Sequence, residues 1–169
     1  PISYATAAYG QGIAVTPIAL VRAFAALGNG GTLITPHVTK ELRYAIGVKD
    51  PVSFEAGERV ISKETSETIT RMLVTVVDEA LANGTAKNPR LSVAAKTGTA
   101  QVPKPGGGYY DDRFLHSFFG YFPAYDPQFL VFFYILYPVG AQYASQTLTP
   151  PFLEMERFLI SYYNVLPDR

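Results

Sequence analysis

Cysteine is absent from the 169-residue chain, which excludes a disulfide framework and any thiolate metal site. Compartment stays open, because the lack of cysteine suits both the cytoplasm and an exported location. Histidine is scarce. His37 and His116 lie far apart in sequence, without the companions of a metal site or a Ser-His-Asp triad. Net charge is also absent, with 14 Lys plus Arg against 14 Asp plus Glu, so there is no electrostatic footprint for nucleic acid or an anionic membrane. No nucleic-acid motif and no internal repeat is visible. The most apolar run, "FLVFFYILYPV" from Phe129 to Val139, is too short for a membrane helix and rich in strand formers, so it reads as a buried strand. There is no signal peptide, and the sequence opens at Pro1 without methionine, which leads us to expect an excised segment.

What is present argues for a folded globule: 48% hydrophobic residues and 17% charged, enough for one domain or part of one. In "YGQGIAVTPIALVRAFAALGNGG", Gly10 and Gly12 suit a turn, Thr16 an N-cap and Pro17 the first helical position. The helix should run to about Leu27, apolar all round apart from Arg22 and therefore a core helix, closed by Gly28 to Gly31. From Thr32, two short strands broken at Pro36 are expected, then a polar linker from about Gly47 to Arg59. A helix starting near Ser62 carries Ile69, Met72, Leu73, Val76, Val77, Ala80 and Leu81 at helical spacing and stops at Asn83-Gly84. Asn83-Gly84-Thr85 also spells a glycosylation acceptor, but a helix C-cap explains the Asn-Gly pair fully.

A strand over Leu91 to Ala100 should lead into a flexible rim loop, "VPKPGGGYYDDR". Strands over Leu115–Phe122 and Gln128–Pro138 flank the turn "PAYDPQ" and form a hairpin. A last helix, Thr149–Tyr163, shows Phe152, Met155, Leu159 and Tyr162 on one side, a core stripe rather than a cofactor box. Helix, small strands, helix, three strands with tight connections, helix: this order favours an α+β fold, an antiparallel sheet covered by helices, over a doubly wound parallel sheet.

One strand stands out. In "SVAAKTGTAQV" the side chains of Val93, Ala95, Thr97 and Thr99 share one face and those of Ala94, Lys96, Gly98 and Ala100 the other. Two readings of it stand side by side. It is an edge strand on which Lys96 discourages edge-to-edge pairing and Gly98 marks a bulge; or its small residues leave room for another backbone to lie along the edge, with Lys96 supplying a cation to an anionic group. "KTGT" is not a phosphate loop, since there the glycine precedes the lysine and no Gly-rich turn leads in. The adjacent Asp111 and Asp112 point apart and fit a solvated turn better than an acid/base pair. His116, beside Ser117, reads as a packed or rim residue rather than a general base.

Several segments in order, "YGQGIAVTP", "AAKTGTAQV", "FFGYFPAYDPQFLVFF" and "PPFLEMERFLISYYNVLP", resemble the C-terminal part of a penicillin-binding transpeptidase domain, most like the monofunctional class B type. The resemblance spans residues 1–169 as part of a single domain. It implies an α/β fold of the β-lactamase/transpeptidase kind, here incomplete, with no cofactor and no metal. In such enzymes a serine of Ser-x-x-Lys attacks the D-Ala-D-Ala end of a peptidoglycan stem peptide, releases the last D-Ala and passes the acyl group to a neighbouring amine; β-lactams mimic the dipeptide. By the resemblance, Lys96 adds positive charge near the substrate carboxylate and meets the serine of a Ser-x-Asn motif. Thr97 hydrogen-bonds that carboxylate, Gly98 permits close backbone approach, and the Thr99 N–H is one of two oxyanion donors, the other being the nucleophile's own. Implied partners are the stem peptide, β-lactams, the remainder of the same domain and a cell-wall synthesis complex. The implied location is the outer face of the bacterial cytoplasmic membrane, anchored through an N-terminal segment outside this sequence.

Departures accompany the matches. None of Lys40, Lys49, Lys63, Lys87, Lys96 and Lys104 has serine three positions before it, and none of Asn29, Asn83, Asn88 and Asn164 has serine two before it. Ser-x-x-Lys and Ser-x-Asn are therefore not in this sequence, which supplies no nucleophile; in relatives both precede the Tyr9–Gly12 region, so truncation rather than degeneration is expected. Ala144 and Ser145 stand where many relatives have a Gly-Gly turn. Two other classes remain at this stage: a non-catalytic β-lactam-sensing or binding module, and a relative of class D β-lactamases, which share the Lys-Thr-Gly strand. A sheet missing part of its helical cover exposes core faces, so the isolated chain should be poorly soluble or depend on a partner to fold. Hydrogen exchange on the isolated chain should find low protection over much of it; uniformly high protection would contradict this expectation.

Overall fold

The computed structural model describes residues 2–8, 10–54 and 57–169. Tyr9, from the Tyr-Gly-Gln-Gly stretch, lies outside them. A short helix, α1 (Ile2–Ala7), precedes the turn at Gly10 and Gly12, both with positive φ. Helix α2 (Pro17–Gly28) begins as its sequence dictates: the Thr16 hydroxyl accepts from the Ala19 N–H, Pro17 opens the first turn, and Asn29 closes the last.

The centre is an antiparallel sheet of three strands, β3 (Ala94–Pro103), β4 (Tyr109–Phe122) and β5 (Phe129–Leu136), in that spatial order. Helix α4 (Ala144–Tyr163) packs on one face. Helices α2 and α3 (Lys63–Thr75) cover part of the other. The expected antiparallel sheet with helical cover is the arrangement found.

Each face has its own core. Under α4, Val93 and Ala95 of the β3 segment join Phe118, Phe122, Leu148 and Phe152. Phe152 is wholly buried, and Gly120 explains how it fits: a Cβ there would stand 2.4 Å from Phe152 Cζ and 3.0 Å from Ala95 Cβ. Under α2 and α3, Ala94 joins Phe119, Tyr121 and Val74. Phe24 stacks on Phe119 with ring centroids 4.0 Å apart. Two polar pins hold these layers, Ser66 Oγ donating to Leu27 O at 2.6 Å and the Thr70 and Tyr121 hydroxyls meeting at 2.8 Å. Burial raises the Tyr121 phenol above its ordinary pKa, against a smaller lowering by the Thr70 hydrogen bond.

Several expectations need correction. Helix α2 is not a core helix: only Ala26 is fully buried and Ile18 is exposed, because α2 meets α3 and β5 on one side alone. No strand precedes Pro36 among the described residues; Thr32 makes a single bridge to Arg59. The strands lie later, β1 (Glu41–Arg43) and β2 (Lys49–Pro51), paired into a hairpin, so part of the expected polar linker is a strand. Pairing across a tight turn at Gly47, with positive φ, outweighed the polar composition. Helix α3 continues as a π turn over Val76–Ala80 and a 3-10 turn over Leu81–Gly84, with Ala82 and Asn83 left-handed. Met72 faces solvent because the buried stripe is Ser66, Thr70, Val74, Val77 and Leu81, whose first two members are polar.

The "VPKPGGGYYDDR" stretch is mostly strand, with only Lys104–Gly108 left as a tight hairpin. Asp111 and Asp112 are exposed on β4. The Phe129–Val139 run is not fully buried, since β5 is an outer strand whose Tyr134, Ile135 and Leu136 are exposed. Helix α4 starts five residues before the expected Thr149, at Ala144, because the Gln146 side chain reaches back to the N–H groups of Gln142 and Tyr143. Met155 and Tyr162 are exposed, and the buried stripe runs through Leu148, Phe152 and Glu156. A carboxylate on that stripe hid the period.

Glu156 is buried and accepts from Asn88 Nδ2 at 2.7 Å. Burial raises its pKa above the ordinary 4.5, only partly offset by the Asn88 hydrogen bond and the Arg157 charge. A raised folded-state pKa means that the native chain holds the proton more tightly, so stability declines as pH rises from about 4.5 through the folded value. Glu156→Gln keeps the acceptor for Asn88 and removes the ionisation. It should be more stable than the parent at neutral pH, with the gap closing as pH falls toward 4.5 in thermal unfolding. A gap that does not change with pH would refute the burial account.

Candidate active site

Strand β3 pairs with β4 on one side, in the register Ala95↔Gly120, Lys96↔Phe119, Thr97↔Phe118, Gly98↔Ser117 and Thr99↔His116. Its other edge has no strand partner among the described residues. On such an edge alternate backbone N–H and C=O groups point outward, free to pair with an extended chain.

The side chains divide as the sequence pattern predicts. Lys96 and Gly98 lie on the α2/α3 face of the sheet, Thr97 and Thr99 on the α4 face. The cover on the first face ends around Phe119, which leaves Lys96 exposed. Its Nζ donates to the Thr97 carbonyl at 2.9 Å, and none of the ion pairs among the described residues includes it. A cation without a counter-charge stands at the rim of an open edge. Thr97 is half-buried beside it.

Gly98 is constrained from within the sheet. A Cβ there would lie 2.5 Å from Ser117 Oγ, so the absent side chain gives the serine hydroxyl its space. Thr99, one residue on, is exposed, and its Oγ1 accepts the Ala144 N–H at 3.0 Å, tying the strand to the first residue of α4. Ala144 and Ser145 thus form a helix start. Behind Thr99, His116 is fully buried, as a packed residue should be.

The other end of β3 is clamped by the chain terminus. Asp168 accepts from the Ser92 backbone N–H at 2.6 Å and from the Ser92 hydroxyl, while the Ala124 N–H donates to Ser92 Oγ at 2.8 Å. Arg169 pairs with Asp78 at 2.8 Å, which Lys87 also approaches. Sequence reading missed Ser117, Ser92, Asp168 and Ala144 as neighbours of this strand, because cross-strand register and tail docking carry no local signal. A groove of about 390 Å³ is lined by Asn29, Arg59, Lys63, Tyr125 and Asp126 among others, and none of its lining residues belongs to β3. That groove is thus separate from the Lys96–Thr99 edge. Among the described residues no cluster of His, Cys, Asp or Glu is placed to hold a metal, and no helix is long and apolar enough to cross a membrane.

A family model for the penicillin binding protein transpeptidase domain matches residues 2–154. The chain is similar to stage V sporulation protein D of Bacillus subtilis, 38% identical over 159 residues that make up 89% of this chain and 23% of that protein. It is also similar to a peptidoglycan D,D-transpeptidase FtsI homolog of Mesostigma viride, 28% identical over 183 residues, 99% of this chain and 30% of that protein. It therefore spans between 23% and 30% of the length of these curated relatives. Among solved structures it resembles penicillin binding protein 3 of Mycobacterium tuberculosis complexed with aztreonam, with a TM-score of 0.82 at 26% identity, covering 99% of this chain and 39% of that one. The likeness bears out the transpeptidase-type fold.

The contact between Gly98 and Ser117 separates two reasons for the glycine. Gly98→Ala should lower the melting temperature, and Ser117→Gly in the same chain should restore it by clearing the Oγ that the new methyl meets. If the double variant stays as unstable as the single one, the sheet-internal explanation fails.

Proposed function

We propose, because the chain belongs to the penicillin-binding protein transpeptidase domain family, that it is the C-terminal part of a peptidoglycan D,D-transpeptidase domain. On this reading it supplies the substrate-docking edge of a serine acyl-transfer site. The carrying observation is the β3 edge: without a strand partner among the described residues, built of small residues, and bearing an exposed lysine that no carboxylate among them neutralises.

The chemistry assigns each residue one task. A stem peptide ending in D-Ala-D-Ala lies along β3 as an added strand. The Lys96 ammonium and the Thr97 hydroxyl take its terminal carboxylate, a charge-assisted contact that fixes register. The carbonyl of the penultimate D-Ala then sits at Thr99, whose N–H stabilises the oxyanion formed when a serine oxygen attacks. As the tetrahedral carbon collapses, the C–N bond breaks, the terminal D-Ala leaves as an amine, and the acyl group stays on serine as an ester. A neighbouring stem-peptide amine attacks that ester and restores the serine. Nucleophile and proton-transfer groups come from Ser-x-x-Lys and Ser-x-Asn segments outside these 169 residues. A β-lactam, whose carboxylate and amide carbonyl mimic the dipeptide, enters the same way and stays as the ester. The parent is anchored at the outer face of the cytoplasmic membrane, where peptidoglycan lies, and works within a cell-wall synthesis complex.

The test uses the natural full-length protein that carries this chain. Incubation with penicillin should add one penicillin mass, and Lys96→Ala should slow acylation by about 10- to 150-fold, the equivalent of about 1.5–3 kcal/mol for one charge-assisted contact. Thr97→Val, which loses a neutral hydrogen bond, should cost less, about 5-fold. A protein that binds penicillin reversibly and gains no mass would replace the transpeptidase with a sensing module.

A further inference from the structure

We propose that His116 is a positioning residue that holds Thr99 in place for acyl transfer, by fixing the first turn of α4 to which the Thr99 side chain is tied. The proposal rests on the reading of Thr99 given above and extends it to a residue that touches no substrate.

His116 is the register partner of Thr99 on β4 and is wholly buried. Its two ring nitrogens reach different points of the same connection. Nε2 lies 3.1 Å from the Gln142 carbonyl, and Nδ1 lies 2.9 Å from Thr147 Oγ1. A carbonyl only accepts, so Nε2 donates to Gln142; Nδ1 meets the Thr147 hydroxyl, which also lies 3.3 Å from the Ala144 carbonyl and so links the ring to the first turn of α4. The imidazole therefore grips the chain on both sides of Ala144.

Ala144 is where that grip reaches the site. Its N–H donates to Thr99 Oγ1 at 3.0 Å, while Gln146 satisfies the N–H groups of Gln142 and Tyr143 just before it. Three successive backbone donors thus have partners, and the one that crosses to β3 ends on Thr99. This matters because β3 has no strand neighbour on its outer side among the described residues. Beyond Thr99 the strand stays in register with β4 through Gln101 and shifts before Pro103, so its inner side is held by β4, and the Thr99 side chain adds a tie to the start of α4. An oxyanion donor works only where it is already aimed. The His116 clamp supplies that aim from behind the sheet, through the start of α4.

Burial alone would make His116 a satisfied core residue with effects on stability only. The two roles separate in acylation kinetics of the natural full-length protein with penicillin, resolved into the pre-acylation dissociation constant and the limiting acylation rate. Thr147→Val deletes the hydroxyl at constant shape; Thr147→Ser keeps it. His116→Phe removes both ring contacts, while His116→Gln offers one donor and one acceptor. Thr147→Val and His116→Phe should lower the limiting rate by about 10- to 100-fold, the scale of a misplaced oxyanion donor, with the dissociation constant moving by less than about 2-fold. Thr147→Ser and His116→Gln should restore most of the rate. If His116→Phe does not fold, the Thr147 pair decides alone. An unchanged limiting rate in folded Thr147→Val, or an equal loss in Thr147→Ser, would overturn the positioning role while leaving the transpeptidase reading intact. A wild-type protein that is not acylated would overturn that reading and the positioning role together.

Discussion

The register between β3 and β4 is the constraint on which the rest of this structure depends. Ala95 opposite Gly120 is one of its tight points. Two nearly absent side chains there admit the edge of the Phe152 ring between sheet and helix. A slip of one residue would carry Lys96 to the α4 face and swap each β3 side chain to the wrong core. The small residues of β3 thus serve packing on one part of the strand and access on the next. Up to Ala95 they are fully buried, and from Lys96 onward the strand emerges.

That division gives the site its character. A strand buried along its length could not accept a ligand, and one exposed along its length would have no fixed position. Here the base is clamped by Ser92 to Asp168 and Ala124, and the far part by Thr99 to Ala144. Between the two anchors, Lys96 to Gly98 form an edge with no strand partner among the described residues. The anchors come from α4 and the chain terminus, which explains why a helix distant in sequence shares a functional unit with the Lys-Thr-Gly strand.

Much of this was legible beforehand. Alternation along Val93–Thr99 assigned the correct residues to each face, because strand side chains repeat with a period of two whatever the neighbours are. The cap at Thr16 is a local hydrogen bond and was read from local sequence, as was the helix start near Ser62. Errors fell where a tertiary contact overrode a local pattern. The "VPKPGGGYYDDR" stretch was read as loop from its glycines and prolines, yet pairing with the neighbouring strand extends it through Tyr109 to Arg113. The core face of α3 runs through Ser66 and Thr70, which are bonded to Leu27 and Tyr121, so polar residues took the buried positions and Met72 was left in solvent.

By itself, the sequence determined the residue types on offer: one lysine among small residues, no thiol, a strand over the Lys-Thr-Gly stretch, and the family to which these belong. Those properties depend on residue types and their short-range spacing. Only the tertiary structure decided that Lys96 has no acidic partner among the described residues, that Gly98 clears Ser117, that Asp168 holds Ser92, and that His116 and Thr99 meet the same turn of α4. The contacts among these join residues 19 to 76 positions apart in the chain. The physical reason is that their proximity is set by strand register and by helix docking, both governed by the packing of the whole core rather than by any stretch of sequence.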